Sequence, residues 1–279
     1  MAAPLKGVAQ DHPLGSSEDD VEAVPLRRPW RWISAFIVLI LLAWFIVTVA
    51  TNPNLDFATI GEFLFDPRIL SGVGLTLFIT VVSMVVSTLL AIVIAAMRLS
   101  SNPVLSSVSW FYVWAFRGTP QLVQIVLWGY LGLLFDKIRF GIPFTGIEFW
   151  PIDTNTLITP LIAGLLALTL NQAAYSSEIV RAGMVSVDEG QREAAYSLGM
   201  SPVYTFRRVL LPQAMRVIIP PMGNELISML KNTSLLSVIA VLELYTQASI
   251  ISSSNLKQVE LLIVVSAWYL FMTSLLSIP

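Results

Sequence analysis

The sequence predicts an all-α membrane protein of six transmembrane helices, with one folded polar segment between the fourth and the fifth. Three observations predict this. The 279 residues are 56% hydrophobic and only 12% charged, with a mean hydropathy of +0.76, where a soluble chain carries about twice that charge. Uncharged runs long enough to span a bilayer recur along the chain. A polar island, residues 186–212, separates two apolar blocks.

Taken in order, residues 1–29 combine Gly, Ser and Pro with an acidic run at Glu18, Asp19, Asp20 and Glu22. They hold too little apolar surface to bury, and a disordered, solvated tail is expected. Arg27, Arg28 and Arg31 precede an uncharged run at 32–55. A cleavable signal peptide is the rival reading of residues 30–55, but the run exceeds a usual signal core, so an uncleaved anchor is expected. Further uncharged runs lie at 69–97, at 99–116 followed by 118–135, at 154–177 and at 261–279. A sixth block, 212–242, is interrupted by Arg216, Glu225 and Lys231. The loop at 136–153 is too short for a separate domain, and no fixed-period repeat is present. There is no cysteine, which excludes disulfides and thiolate sites, and the lone His12 lies in the tail.

Basic residues orient the chain. With the tail inside, Lys6, Arg27, Arg28, Arg31, Arg98, Arg117, Arg181, Arg192, Arg207, Arg208 and Arg216 fall on the inner side. Only Arg68, Lys137, Arg139 and Lys257 fall outside, and Lys231 is left within a span. This bias puts both termini and the island in the cytoplasm.

The island reads as two short helices. Ser186 with Glu189 fits a capping box, Gly199 suits the left-handed residue that closes a helix, and Ser201-Pro202 restarts one that Pro212 is expected to end. Ala194 and Ala195 keep the first helix thin, Glu193 offers a charge, and Arg207 and Arg208 sit on the polar face of the second. On composition alone, an amphipathic hairpin at the lipid interface fits equally well.

Glu193, Ala194, Ala195 and Gly199, followed at family spacing by Leu211-Pro212, resemble the EAA loop of ABC importer permeases. FRGTPQLVQ (116–124), AYSSEIVRAGM (174–184) and LKNTSLLSVI (230–239) are similar to motifs of the polar amino acid branch, the histidine, glutamine, arginine and glutamate permeases. The resemblance covers residue 70 onwards. It implies a five-helix type I importer core at 69–279, preceded by an extra helix, and ATPase coupling through Glu193, Ala194, Ala195, Gly199, Met200 and Arg207. It further implies a cytoplasmic-membrane complex with a dimer of ABC ATP-binding subunits, an extracytoplasmic amino acid binding protein and a second permease subunit. A homodimer is the first expectation, a heterodimer the alternative. ATP and Mg are expected on the partner ATPase, with no cofactor and no catalytic role in this chain. Family members usually continue into a short basic tail, so a continuation past Pro279 is expected.

Polar groups within spans locate a cavity, because they are costly against lipid. Asn224, Glu225, Ser228, Lys231 and Asn232 fall within an arc of about 120° on one helix. Asn171, Tyr175 and Glu178 share a face in the preceding span, with Gln172 and Ser176 expected as helix-to-helix glue and Glu178 expected to pair with Arg181. Gly118-Thr119-Pro120 breaks the third span, after which Gln121, Gln124 and Trp128 share a face. That break serves either a substrate path or a packing kink. Arg117 is expected at the inner boundary, meeting headgroups or a polar group of the complex.

Function classes narrow accordingly. No phosphate-binding GxxxxGK[ST] loop is present, and an intramembrane enzyme lacks its reactive residues. A channel or an ion-coupled amino acid transporter is the alternative, with Glu178, Glu225 and Lys231 as coupling sites. It would leave the folded island without a role.

Overall fold

The structure, a computed structural model, describes residues 29–141 and 148–277. The expected tail, Pro29 apart, lies outside the described residues. The chain divides into two units, Met1–Asn54 and Leu55–Pro279. In the first, α1 (Pro29–Ala50) is apolar on every face, and its large side chains from Trp30 to Val49 are exposed. That pattern suits a helix solvated by lipid.

The second unit opens with α2 (Phe57–Leu64), a short helix that a search for spans does not find. Asp56 caps it by accepting from the N–H groups of Ala58 and Thr59. Asp56 also pairs with Lys257 Nζ at 3.2 Å, and its own N–H reaches Glu260 Oε1 at 3.1 Å. The Thr59 hydroxyl and N–H, together with Lys257, lower the Asp56 carboxyl to about 2.

Next, α3 (Pro67–Arg98) starts at an Asp66 cap with Pro67 in its first turn. Its buried face is narrow: Gly72, Thr76, Thr80, Ser83, Ser87, Ala91 and Ala95. Residues this small let a neighbouring backbone approach, and the Thr80 hydroxyl returns to the Thr76 carbonyl at 2.7 Å. The opposite face presents Phe78, Val81, Val85, Leu89 and Ile92 outward.

The chain then runs through α4 (Pro103–Gly118), α5 (Gln121–Gly129) and α6 (Leu131–Leu134) into an antiparallel hairpin of β1 (Lys137–Gly141) and β2 (Glu148–Asp153). The hairpin corrects the all-α expectation locally, since apolar Ile138 and Phe140 alternate with Lys137 and Arg139, a strand period that span-finding ignores. After α7 (Thr154–Leu157), α8 (Pro160–Val185) packs along α3 with Ala163, Gly164, Ala167, Ala173 and Ala174 buried. The island follows as α9 (Glu189–Ser197) and α10 (Pro202–Thr205).

Two details of the island differ from the sequence-based expectation. Asp188, not Ser186, caps α9, accepting from Gly190 N–H at 2.8 Å; Ser186 instead ends α8, its hydroxyl donating to the Gly183 carbonyl. Nor does Pro212 end a helix. A π-helical turn, Phe206–Leu210, carries the chain into α11 (Leu211–Asn232), with Leu211 N–H reaching back five residues to the Phe206 carbonyl. The wider turn relieves the clash between a proline ring and the carbonyl four residues before it. The rod runs on as a 3₁₀ segment, Thr233–Ile239, then bends by 47° into α12 (Leu244–Asn255), and α13 (Gln258–Leu276) completes the fold.

Among the described residues, three helices, α1, α3 and α13, are long and apolar enough to cross a membrane, and a fourth span arises if the bent pair counts as one. The other expected spans fall short individually. At 16 and 9 residues α4 and α5 are too short, while the 26-residue α8 is made too polar by Asn171, Gln172, Ser176 and Ser177.

Candidate functional site: a polar cavity and a folded loop

The break between α4 and α5 is built by hydrogen bonds. Thr119 is extended and Pro120 has no N–H to continue a helix. The Gln124 carboxamide donates to the carbonyls of Phe116 (2.9 Å) and Thr119 (3.2 Å) and to Thr119 Oγ1 (2.7 Å). It accepts in turn from Asn171 Nδ2, which also reaches the Phe116 carbonyl at 3.0 Å. One amide thereby satisfies the backbone acceptors that the break exposes, and α8 is stitched to the break at its middle.

Beside this stitch lies a polar cavity of about 460 Å³ lined from three directions. The break contributes Arg117, Gly118, Thr119, Pro120 and Gln121; α8 contributes Asn171, Gln172 and Tyr175; α11 contributes Glu225, Ser228 and Asn232. The Arg117 guanidinium lies 5.1 Å from the centre of the Tyr175 ring, a cation–π contact. Gln172 Nε2 donates to Glu225 Oε2 at 2.8 Å and to Ser176 Oγ at 3.1 Å, so it joins α8 to α11. Gln121 Nε2 is buried without a partner in the chain, an orphan donor in the cavity wall.

Of the residues expected on the substrate path, Gln121, Asn171, Tyr175, Glu225, Ser228 and Asn232 share this cavity. Gln124 lies behind it as a support. Asn224 and Lys231 are exposed on α11 away from its lining. The cavity's cation is Arg117, which the charge pattern placed at the inner boundary; Tyr175 and the Phe116–Asn171 contact put it level with the middle of α8. The FRGTP run carried the signal, since a charge one residue before a helix break is poorly placed for headgroups. Nearer the end of α8, Arg181 Nη2 lies 2.8 Å from Glu178 Oε2, both half-exposed.

The island is a rigid, outward-facing knuckle. Gly199 takes φ +75°, and Met200 N–H and Gly199 N–H return to the carbonyls of Ala195 (3.1 Å) and Tyr196 (2.9 Å). Those two bonds are a Schellman closure. Gln213 Nε2 ties α11 to Gln191 Oε1 at 3.2 Å. Glu193, Ala194, Gly199 and Arg207 are exposed and Met200 is half-buried. Ala195, however, is only 4% exposed, so it packs the knuckle from inside and offers no surface. Leu198 and Val203 stand out instead, 82% and 69% exposed. Among the described residues no group of His, Cys, Asp and Glu could hold a metal ion.

Residues 87–279 match the family model described as binding-protein-dependent transport system inner membrane component. The chain is 46% identical over 260 residues to the arginine transport system permease protein ArgU of Corynebacterium glutamicum, covering 92% of this chain and 80% of that one. It is 37% identical to the nopaline transport system permease protein NocM of Agrobacterium fabrum, over 76% of this chain and 84% of that one. A solved amino acid ABC transporter, described as a crystal structure with histidines, superposes with a TM-score of 0.67 at 36% identity, covering 80% of this chain and 94% of that one. An inward-facing MetNI methionine ABC transporter, 17% identical with a TM-score of 0.54 over 74% of this chain and 92% of that one, shares the fold.

Proposed function

Since the chain belongs to the family of binding-protein-dependent transport system inner membrane components, we propose that it is the membrane permease subunit of an ATP-driven importer of a polar amino acid. The observation that carries this reading is the polar cavity on α11, because the same helix continues without a break into the knuckle. A channel or an ion-coupled carrier has no use for that continuity.

In this reading the chain crosses the cytoplasmic membrane six times, both termini inside, with α4–α5 and α11–α12 as broken spans. The knuckle docks on a dimer of ABC ATP-binding subunits, which hold ATP and Mg and perform the hydrolysis; this chain contributes no catalytic residue. Glu193, Ala194, Gly199, Met200 and Arg207, joined by exposed Leu198 and Val203, form the docking surface. An extracytoplasmic binding protein delivers the substrate, and a second permease copy covers the exposed Asn224 and Lys231. ATP-driven closure of the ATPases moves the knuckle, α11 moves with it, and the cavity changes the side to which it opens. Arg117 supplies a cation for the substrate carboxylate and Glu225 an anion for its ammonium, while the orphan donor of Gln121 gains an acceptor.

Co-purification with candidate ATPases, followed by uptake into proteoliposomes across a panel of amino acids, tests the reading. ATP-dependent uptake is expected, reduced at least about tenfold by Arg117→Ala or Glu225→Gln, as for a lost charge-assisted contact. Uptake driven by an ion gradient with no ATPase bound would overturn it.

A further inference from the structure

Glu243 is a charged residue type within the α11–α12 region, yet it is fully buried. Among the described residues no ion pair reaches it. Its carboxyl oxygens accept from the N–H groups of Tyr245 (2.9 Å) and Thr246 (2.8 Å), from Thr246 Oγ1 (2.8 Å) and from Tyr269 Oη on α13 (3.3 Å). Three of these bonds make an N-cap, satisfying the free donors at the start of α12. A cap alone needs only Ser or Asp. The longer glutamate also reaches the neighbouring helix.

The surroundings show what this holds. Just before it, Ala240 adopts a left-handed backbone at φ 58°, where a non-glycine residue is strained, and the rod Pro202–Ile239 stops. Just after it, Leu244 N–H donates to Thr76 Oγ1 of α3 at 3.2 Å. The Tyr269 hydroxyl lies 3.5 Å from Thr233 Oγ1, the first residue beyond α11. Three helices therefore meet at one carboxyl group, at the point where the rod from the knuckle through the cavity ends.

We propose that Glu243, through Tyr269, is a positioning residue for transport: it fixes the fulcrum on which α11 turns when the knuckle is moved. This rests on the importer reading above. With the fulcrum held to α3 and α13, displacement at the knuckle becomes rotation of the cavity face. With it loose, the same displacement dissipates in the 3₁₀ segment.

The test compares wild type with Tyr269→Phe, which removes one hydroxyl and keeps the ring, and with Glu243→Gln. Both are assembled with the ATPase and binding protein in proteoliposomes, and uptake per ATP hydrolysed is the readout. In the variants this ratio is expected to fall about tenfold, the factor of a lost hydrogen bond to a charged group, while ATPase retention and hydrolysis persist. An unchanged ratio in Tyr269→Phe overturns the proposal. Loss of assembly in both variants also overturns it, since the carboxyl would then be a folding requirement only. If wild type itself shows no ATP-driven uptake, the importer reading fails, which this comparison registers separately.

Discussion

Substitutions at Gly199 separate backbone strain from docking. Its φ of +75° lies where an L-residue is disfavoured by about 1–2 kcal/mol, up to roughly a tenfold shift against the closed turn. Asparagine enters this region more readily than alanine. A Cβ built at Gly199 meets nothing within 4 Å, so within this chain phenylalanine strains the turn about as much as alanine does. If only backbone strain mattered, activity would rank Gly, Asn, then Ala and Phe together. If the site enters a groove on the ATPase, bulk decides, and the order is Gly, Ala, Asn, Phe. The second order is expected for ATP-driven uptake and for the fraction of ATPase retained on an affinity resin, with Phe below about a tenth of wild type. All four chains should melt within a few degrees of one another. Better uptake by Gly199→Asn than by Gly199→Ala would refute the docking argument.

Two further outcomes are expected. A Cβ at Gly72 would lie 2.8 Å from Leu244 Cα and 3.1 Å from Leu244 N. Both are backbone atoms, so Gly72→Ala should destabilise the chain by about 1–3 kcal/mol; an unchanged thermal midpoint in detergent would contradict the close approach of α3 and α12. The Asp56 carboxyl stands at about 2 in the fold against an ordinary 3.8. A depressed value stabilises the fold fully above the unfolded value and is lost as pH falls through the folded one. Midpoints of wild type should therefore drop between about pH 4 and pH 2 beyond those of Asp56→Asn, and parallel curves would deny the Asp56–Lys257 clip its role.

What can be read from the chain depends on whether one residue type has one physical use. Gly199 is legible because a glycine just past a helical run chiefly serves as the left-handed residue that closes it, and the stripe Glu225, Ser228, Asn232 because helical period alone puts it on one face. Arg117 is misplaced by a charge count, which treats every arginine beside an apolar run as a boundary marker, while its partner Tyr175 lies in another span. Glu243 escapes notice for a related reason. Its donors come from the next turn of its own helix and from Tyr269, and no local pattern announces a buried cap. Ala195 and the Ser186 cap show the limit of spacing: Asp188 is closer to the helix start and wins, and only packing tells which of two adjacent alanines faces inward. The short α2 falls below any span-length criterion, although Asp56 followed by Phe57, Ile60 and Phe63 carries a cap and an apolar face.

The π turn at Phe206–Leu210 has a geometric consequence. Each residue of an α-helix advances the azimuth by about 100°, and a π turn absorbs one residue more than a regular turn. Deleting a single residue there would restore an ordinary helix and leave every contact of the knuckle in place, yet Glu225 would be carried about a quarter of a revolution away from Gln172. The length of this five-residue stretch thus acts as a phase setting, like the timing offset between a cam and its shaft, and it fixes which side of the rod the cargo meets.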